Sequence, residues 1–129
     1  MKKTLAVGAA GVGAGVAVLS GAPAFADSPT ITASNGQCEA KWFSANPADT
    51  FRIRDDDLND SDFCYVDFSF SSASGVNDSG HGRVQVGQDV GGFHNFGVGN
   101  GGSKTIWWKV CKERQNDPDI CSSIRSDTT

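Results

Sequence analysis

The sequence predicts an all-β protein: a small antiparallel β-sandwich with two disulfides or, as the alternative, a small β-barrel. Several short segments alternate apolar and polar residues with the period of two that is typical of a strand with one buried face. No window of the chain shows the apolar spacing of an amphipathic helix. The four cysteines form an even set in a short chain, which is typical of a disulfide framework.

The chain begins with the three regions of a secretory signal peptide. Two lysines precede an apolar run over residues 5–19, and an A-x-A cleavage site ends at Ala26. The run is shorter than the roughly 20 residues that a membrane-spanning helix needs, so we expect residues 1–26 to be cleaved and the protein to be secreted. Cleavage leaves 103 residues, enough for one domain, which we place at residues 38–129.

The charge of the chain disfavours several classes of partner. The whole chain carries −4, and loss of two lysines with the signal peptide leaves −6. Nucleic-acid binding needs a cationic surface, so we expect no nucleic-acid partner. The same charge disfavours binding to an anionic membrane and fits a protein that is monomeric outside any complex.

The first residues after the cleavage site predict an arm. Residues 27–37 are polar and contain Pro29 and Gly36, with one short β-prone piece around Ile31. We expect a flexible N-terminal arm that leads to the first strand. The alternative is an arm that becomes ordered on a partner by adding a strand to a sheet edge.

Strands follow from the alternation of apolar residues. The segment 63–71 is the clearest, because Val66, Phe68 and Phe70 share one face while Tyr65 lies with polar residues on the other. Only one face of each strand is apolar, which favours two sheets packed face to face. The predicted strands are residues 39–45, 50–55, 63–71, 83–86 and 104–112.

A glycine-rich segment, residues 87–102, separates the last two predicted strands. It predicts a β-hairpin bent by glycine, with its apolar residues over the core. The alternative is a mobile loop that presents Phe93, His94 and Phe96 to a partner.

We favour the pairings Cys38–Cys64 and Cys111–Cys121 among the three that four cysteines allow. Cys111 and Cys121 are separated by nine residues that include the turn-forming sequence D-P-D, so their loop closes readily. The other bridge follows by elimination and links two predicted strands. Because no C-x-x-C pair is present and export favours oxidation, we expect no zinc site.

Residues 55–62 form an acidic segment that invites comparison with a calcium loop. Asp60 stands where an EF-hand requires glycine, and Val66 stands where it requires glutamate. We therefore expect a solvated acidic turn and no metal or other cofactor, with a weak calcium site as the alternative. The residues that would fill the first three EF-hand ligand positions are Asp55, Asp57 and Asn59.

The sequence gives no support to a catalytic site. Both histidines, His81 and His94, lie among glycines, and the motifs G-x-S-x-G and H-E-x-x-H do not occur. Oxidised cysteines offer no thiol nucleophile. We therefore expect a protein that is not an enzyme.

One candidate binding patch contains a tryptophan. Trp107 and Trp108 are adjacent on a strand, so Trp108 points into the core and Trp107 points outward beside Lys109. An exposed tryptophan is a common interface anchor or sugar-stacking platform. We predict partner binding through Ile31, Tyr65, Trp107 and Lys109, with packing of Trp107 under a loop as the alternative.

Two patterns in the sequence resemble a known group of proteins. The leader ends in A-F-A at residues 24–26, and residues 108–122 near the C-terminus contain W-K-V-C followed by D-P-D-I-C-S. This combination resembles small secreted two-disulfide β-proteins of actinobacteria, among them the adaptor subunits of umbrella-shaped antibacterial toxin particles. Those adaptors link a lectin-bearing subunit to a toxin-bearing stalk and use an extended N-terminal arm, to which residues 27–37 would correspond. The resemblance implies a secreted protein partner and a role as a protein–protein interaction module.

Two other functions remain open at this point. The disulfide-closed loop 112–120 is typical of the pre-ordered loops that inhibitors of extracellular hydrolases use. Trp107 and Tyr65 would suit a small carbohydrate-binding module that stacks sugars on aromatic rings.

Overall fold

The computed structural model describes residues 28–45, 47–59, 61–87 and 91–129. The predicted signal peptide, residues 1–26, lies outside these ranges. Within them, no helix is long and apolar enough to cross a membrane. The described residues contain one 3₁₀ turn, Ser74–Asn77, and nine strands: β1 Ile31–Thr32, β2 Cys38–Phe43, β3 Thr50–Asp55, β4 Cys64–Ser69, β5 Gly82–Gln85, β6 His94–Gly97, β7 Thr105–Lys112, β8 Ile120–Cys121 and β9 Arg125–Thr128.

The strands form two antiparallel sheets. Sheet 1 has the order β1-β2-β3-β6. Sheet 2 has the order β5-β4-β7, and both β8 and β9 pair with the remaining edge of β7. The described strands do not close into a barrel, so the predicted antiparallel sandwich is confirmed and the barrel alternative is wrong.

An aromatic cluster lies at the centre of the core between the sheets. The Phe51 ring lies 4.8 Å from the Trp42 ring, 5.2 Å from Trp108 and 5.6 Å from Phe68, measured between centroids. Two of these pairs are tilted and the Phe51–Trp108 pair is edge-to-face, arrangements that aromatic rings favour over a face-to-face sandwich. Alternate residues of the neighbouring strands complete this core, including Ile53, Val66, Ile106 and Val110.

The C-terminal strand β9 provides the acceptors for both core indoles. The indole nitrogen of Trp42 donates to the carbonyl of Thr128, and that of Trp108 donates to the Asp127 carboxylate, each at 2.8 Å. Arg125 donates two further hydrogen bonds to Asp127 at 2.7 Å. The polar sequence R-S-D-T does not predict a strand, and the acceptors it offers to two buried donors explain why it docks.

The predicted disulfide pairings are both confirmed. Cys38–Cys64 joins β2 of sheet 1 to β4 of sheet 2, while Cys111–Cys121 joins the neighbouring strands β7 and β8. The first bridge therefore holds the two sheets together, and the second closes the loop that follows β7.

Residues 28–37, which belong to the predicted N-terminal arm, pack on sheet 1. The Ser28 amide donates to the carbonyl of Trp42, and the Trp42 amide donates to the Ser28 hydroxyl. Ile31 pairs with Ala40, and the Ala33 side chain is buried. The segment is ordered because its few apolar residues and one buried serine complete the edge of the sheet.

The glycine-rich segment contributes one strand in its described part, residues 91–102. This strand, β6, pairs with β3 through Phe51 and Phe96, rather than within a hairpin of its own. Phe96 and Val98 pack against the core, as the hairpin prediction required of the apolar residues.

Candidate partner-binding surface

The structure places the four residues predicted to bind a partner in two separate regions. Tyr65, Trp107 and Lys109 lie on the outer face of sheet 2, on the neighbouring strands β4 and β7. Ile31 lies in sheet 1, half-buried and packed against the core. The four residues therefore do not form one patch.

Tyr65 is buried, so the expectation that it is exposed is wrong. Only 3% of the residue is accessible, because the Arg83 guanidinium covers its ring at 3.8 Å and Asp119 accepts a hydrogen bond from its hydroxyl. Asp67 holds Arg83 in place with hydrogen bonds of 2.6 and 3.0 Å. Burial raises the pKa of the Tyr65 hydroxyl, and the hydrogen bond to Asp119 raises it further.

Trp107 is half-buried because the 3₁₀ turn covers the face beside it. A Cβ on Gly75 of this turn would lie 2.5 Å from the hydroxyl of Ser69, the residue that pairs in register with Trp107. Lys109 is held by the same turn, since its ammonium donates to the Asn77 side chain at 2.7 Å. Trp107 and Tyr65 therefore do not make an open aromatic platform.

The acidic segment is anchored from inside the protein. Asp55 is buried against Lys112, while the Asp57 carboxylate accepts hydrogen bonds from the Gln37 side chain and the Asn59 amide. Within the described ranges, no group of three or more histidine, cysteine or acidic side chains is arranged to hold a metal ion. The expectation of a fully solvated turn is therefore wrong for Asp55.

Two large hydrophobic side chains are exposed in the described part of the chain: Phe93 at 51% and Leu58 at 38%. Both lie at the same end of sheet 1, because Phe93 precedes β6 and Leu58 follows β3. Leu58 lies against Gly91, with its Cδ1 3.1 Å from the position that a Cβ on that glycine would occupy. Of the two, Phe93 is the residue that the sequence predicts to contact a partner, in the mobile-loop alternative.

Phe93 belongs to a row of alternating cations and rings on the outer face of sheet 1. The Lys41 ammonium lies 5.0 Å from the Phe43 ring centroid, and the Arg52 guanidinium lies 4.7 Å from the same centroid. Arg52 and Arg54 lie 5.9 and 4.6 Å from the Phe93 centroid. These distances are typical of cation–π contacts. We call this row the cation–aromatic surface: Lys41, Phe43, Arg52, Phe93 and Arg54.

Strand register brings this surface together from three separate segments. Lys41 on β2 pairs with Arg52 on β3, and Arg52 pairs with Asn95 on β6. The Asn95 side chain accepts a hydrogen bond from Arg52 Nε at 3.0 Å. The sequence T-F-R-I-R-D of β3 shows this arrangement locally, because its phenylalanine and isoleucine face inward and leave both arginines outside.

The three cations of the cation–aromatic surface differ in whether they form ion pairs. Arg54 forms ion pairs with Glu39 at 2.7 Å and with Asp56 at 2.6 Å. The hydrogen bond that Arg54 donates to Glu39 raises the pKa of Arg54, while burial raises the pKa of the Glu39 carboxyl. Lys41 and Arg52 make no ion pair within the described residues. The surface therefore carries two uncompensated positive charges on an acidic protein.

The loop between Cys111 and Cys121 is braced by its own hydrogen bonds. The Arg114 amide donates to the Asp119 carboxylate at 3.3 Å, and the Arg114 side chain donates to the Pro118 carbonyl at 3.1 Å. An open polar cleft separates this loop from the acidic segment, with Ser61 and Asp62 on one side and Gln115, Asn116 and Asp117 on the other.

Comparison with protein-family models, curated proteins and solved structures finds no match for this chain. The candidate surface is therefore argued from its geometry and charge.

Proposed function

We propose that this protein is an extracellular, non-catalytic protein–protein interaction module that binds a secreted partner through the cation–aromatic surface. The observation that carries the proposal is the half-exposed Phe93 ring between two arginines at the end of a sheet. Aromatic residues and arginine are enriched in protein interfaces and dominate their binding energy. Two disulfides are compatible with an extracellular location.

The side chains around Phe93 are held in place before binding, which reduces the conformational entropy lost when a partner binds. Arg52 is stacked on Phe43 and hydrogen-bonded to Asn95, while Arg54 is held by two carboxylates. Side chains that are ordered before association lose less freedom when a partner arrives. A row of this kind, across two strands and the residue before a third, suits the face of another protein better than a small molecule, which needs a concave site.

The finer proposal is that the module is an adaptor in an extracellular antibacterial toxin complex. It is supported by the resemblance of the leader and of the closing pattern within residues 108–122 to those adaptors. An adaptor needs two binding surfaces. The braced loop 112–120 on sheet 2 is a second surface that lies on a different sheet from Phe93.

The same loop supports a second candidate function, inhibition of an extracellular hydrolase. Its disulfide and internal hydrogen bonds give it the pre-ordering on which inhibitor loops depend. The carbohydrate-binding reading lacks comparable support, because Tyr65 is buried beneath Arg83.

Partner capture from the growth medium of the producing organism tests the proposal. Tagged wild-type protein, Phe93→Ser, Phe93→Tyr and Arg114→Gln are compared by quantitative mass spectrometry, with circular dichroism as the folding control. We expect Phe93→Ser to lose a secreted partner that wild type, Phe93→Tyr and Arg114→Gln retain. Equal capture by Phe93→Ser and wild type would contradict the proposal, and loss in Arg114→Gln alone would favour the inhibitor.

A further inference from the structure

We infer that the partner presents a segment in which carboxylates flank an apolar residue, and that Arg52 binds one of those carboxylates. This inference rests on the proposed function and deepens it by naming the chemistry of the partner. It follows from three features of the surface: the donors of Arg52, the charge around them and the neighbouring exposed apolar side chains.

The Arg52 guanidinium is held in one orientation, yet it still has N–H donors available to a partner. Its guanidinium lies between the Phe43 and Phe93 rings, and Nε donates to Asn95. A guanidinium has five N–H donors, and within the described residues the Arg52 side chain makes no other hydrogen bond. Such a planar, pre-oriented fork matches the two oxygens of a carboxylate.

The charge pattern favours an acidic partner whose negative groups face this surface. The chain as a whole is negative, so most of its surface repels an acidic protein. Lys41 and Arg52 are adjacent in register and lack carboxylate partners in the described chain, whereas Arg54 is already neutralised by Glu39 and Asp56. An approach that places negative groups against Lys41 and Arg52 is therefore electrostatically favourable.

The exposed apolar residues favour a protein segment over an anionic polymer as the partner. Phe93 contacts Arg52, and Leu58 is exposed at the same end of sheet 1. A sulfated or phosphate-rich polymer would satisfy the cations but leave Phe93 without an apolar contact. A peptide with an apolar side chain between acidic residues satisfies both, so we commit to a protein segment.

Selection from short randomised peptides displayed on phage tests this chemistry. The purified wild-type protein, Arg52→Gln and the control Lys104→Gln, at an exposed position outside both proposed surfaces, serve as targets. We expect wild type and Lys104→Gln to enrich peptides with aspartate or glutamate beside a large apolar residue, and Arg52→Gln to lose this enrichment. The selected peptide should bind Arg52→Gln at least roughly tenfold more weakly than wild type in fluorescence anisotropy.

Two further variants complete the test. Arg52→Lys retains the charge without the fork and should bind the peptide with intermediate affinity, and added salt should weaken binding to wild type. Selection of no acidic peptide, or equal affinity for Arg52→Gln, would overturn the inference. The proposed function would still stand if Phe93→Ser loses the partner. Binding of dextran sulfate that needs Lys41 and Arg52 but not Phe93 would overturn the inference in favour of a polymer.

Discussion

Lys112 and Asp55 form an ion pair in which neither side chain reaches solvent. The Lys112 ammonium lies 2.9 and 3.1 Å from the two carboxylate oxygens of Asp55. Asp55 pairs in register with Cys38 in sheet 1, and Lys112 pairs with Cys64 in sheet 2. The ion pair therefore joins the two sheets directly beside the disulfide that joins the same two sheets.

We expect Lys112→Met to destabilise the fold by about 3–5 kcal/mol, because it leaves a buried carboxylate without its cation. Denaturant unfolding with the disulfides intact measures this change. The double variant Lys112→Met/Asp55→Leu should recover much of the loss, since it removes both charges. Lys104→Met, at an exposed position, is the control and should change stability by less than about 0.5 kcal/mol. A loss near zero for Lys112→Met would contradict the structural role of the pair.

The two disulfides should contribute unequally to stability. Cys38 and Cys64 are 26 residues apart, whereas Cys111 and Cys121 are 10 apart. Loop-closure entropy then predicts losses of about 3.5 and about 2.7 kcal/mol for the respective double serine variants. Cys38, Cys64 and Cys111 are fully buried, so two serine hydroxyls in the first variant and one in the second add a desolvation cost. Denaturant midpoints check the order, and a larger loss for the Cys111–Cys121 variant would contradict it.

Tyr65 gives a spectroscopic test of the outer face of sheet 2, because it is the one tyrosine of the chain. Burial raises its folded-state pKa above the unfolded value of about 10. The neutral, buried Tyr65 therefore contributes to the stability of the fold. This contribution is fully present below pH about 10 and is lost as the pH rises toward the folded-state pKa. Tyrosinate absorbance of the native protein should develop at higher pH than that of the denatured protein. Asp119→Asn should lower the native transition, and coincident native and denatured titrations would show that the ring is exposed.

The acceptors on β9 predict the effect of one substitution near the C-terminus. Asp127→Ala removes the acceptor of the Trp108 indole and both hydrogen bonds of Arg125. We expect a loss of about 1–3 kcal/mol, measured by denaturant unfolding with tryptophan fluorescence. Asp117→Ala, on the exposed loop, is the matched control. Equal stability of the two variants would mean that β9 does not support the core.

Alternation in the sequence was sufficient to predict the sandwich, since the inward residues of β3, β4 and β7 are apolar except at the ends of β3 and β7, where Asp55 and Lys112 pair. It could not predict β9, whose residues are polar and whose docking depends on two indole donors from distant strands. It also failed for Tyr65. The outward direction was read correctly, but Arg83 and Asp119 cover the ring from other segments.

Local alternation in the sequence also could not predict the candidate surface. Outward arginines on β3 are visible in the sequence, yet their significance depends on register with Lys41 and Asn95. The position of Phe93 beside Arg54 depends on the pairing of β6 with β3, which joins segments about forty residues apart. Long-range pairing of this kind cannot be read from local periodicity.

Photocrosslinking from single positions tests the central claim most directly. A photoreactive phenylalanine analogue is placed at Phe93 in one variant and at Trp107, on the other sheet, in a second. Each variant is irradiated in the growth medium of the producing organism, and crosslinked peptides are identified by mass spectrometry. The proposed surface predicts a defined crosslink to a secreted protein from position 93 and none from position 107. A crosslink from position 107 alone would contradict the assignment of the surface.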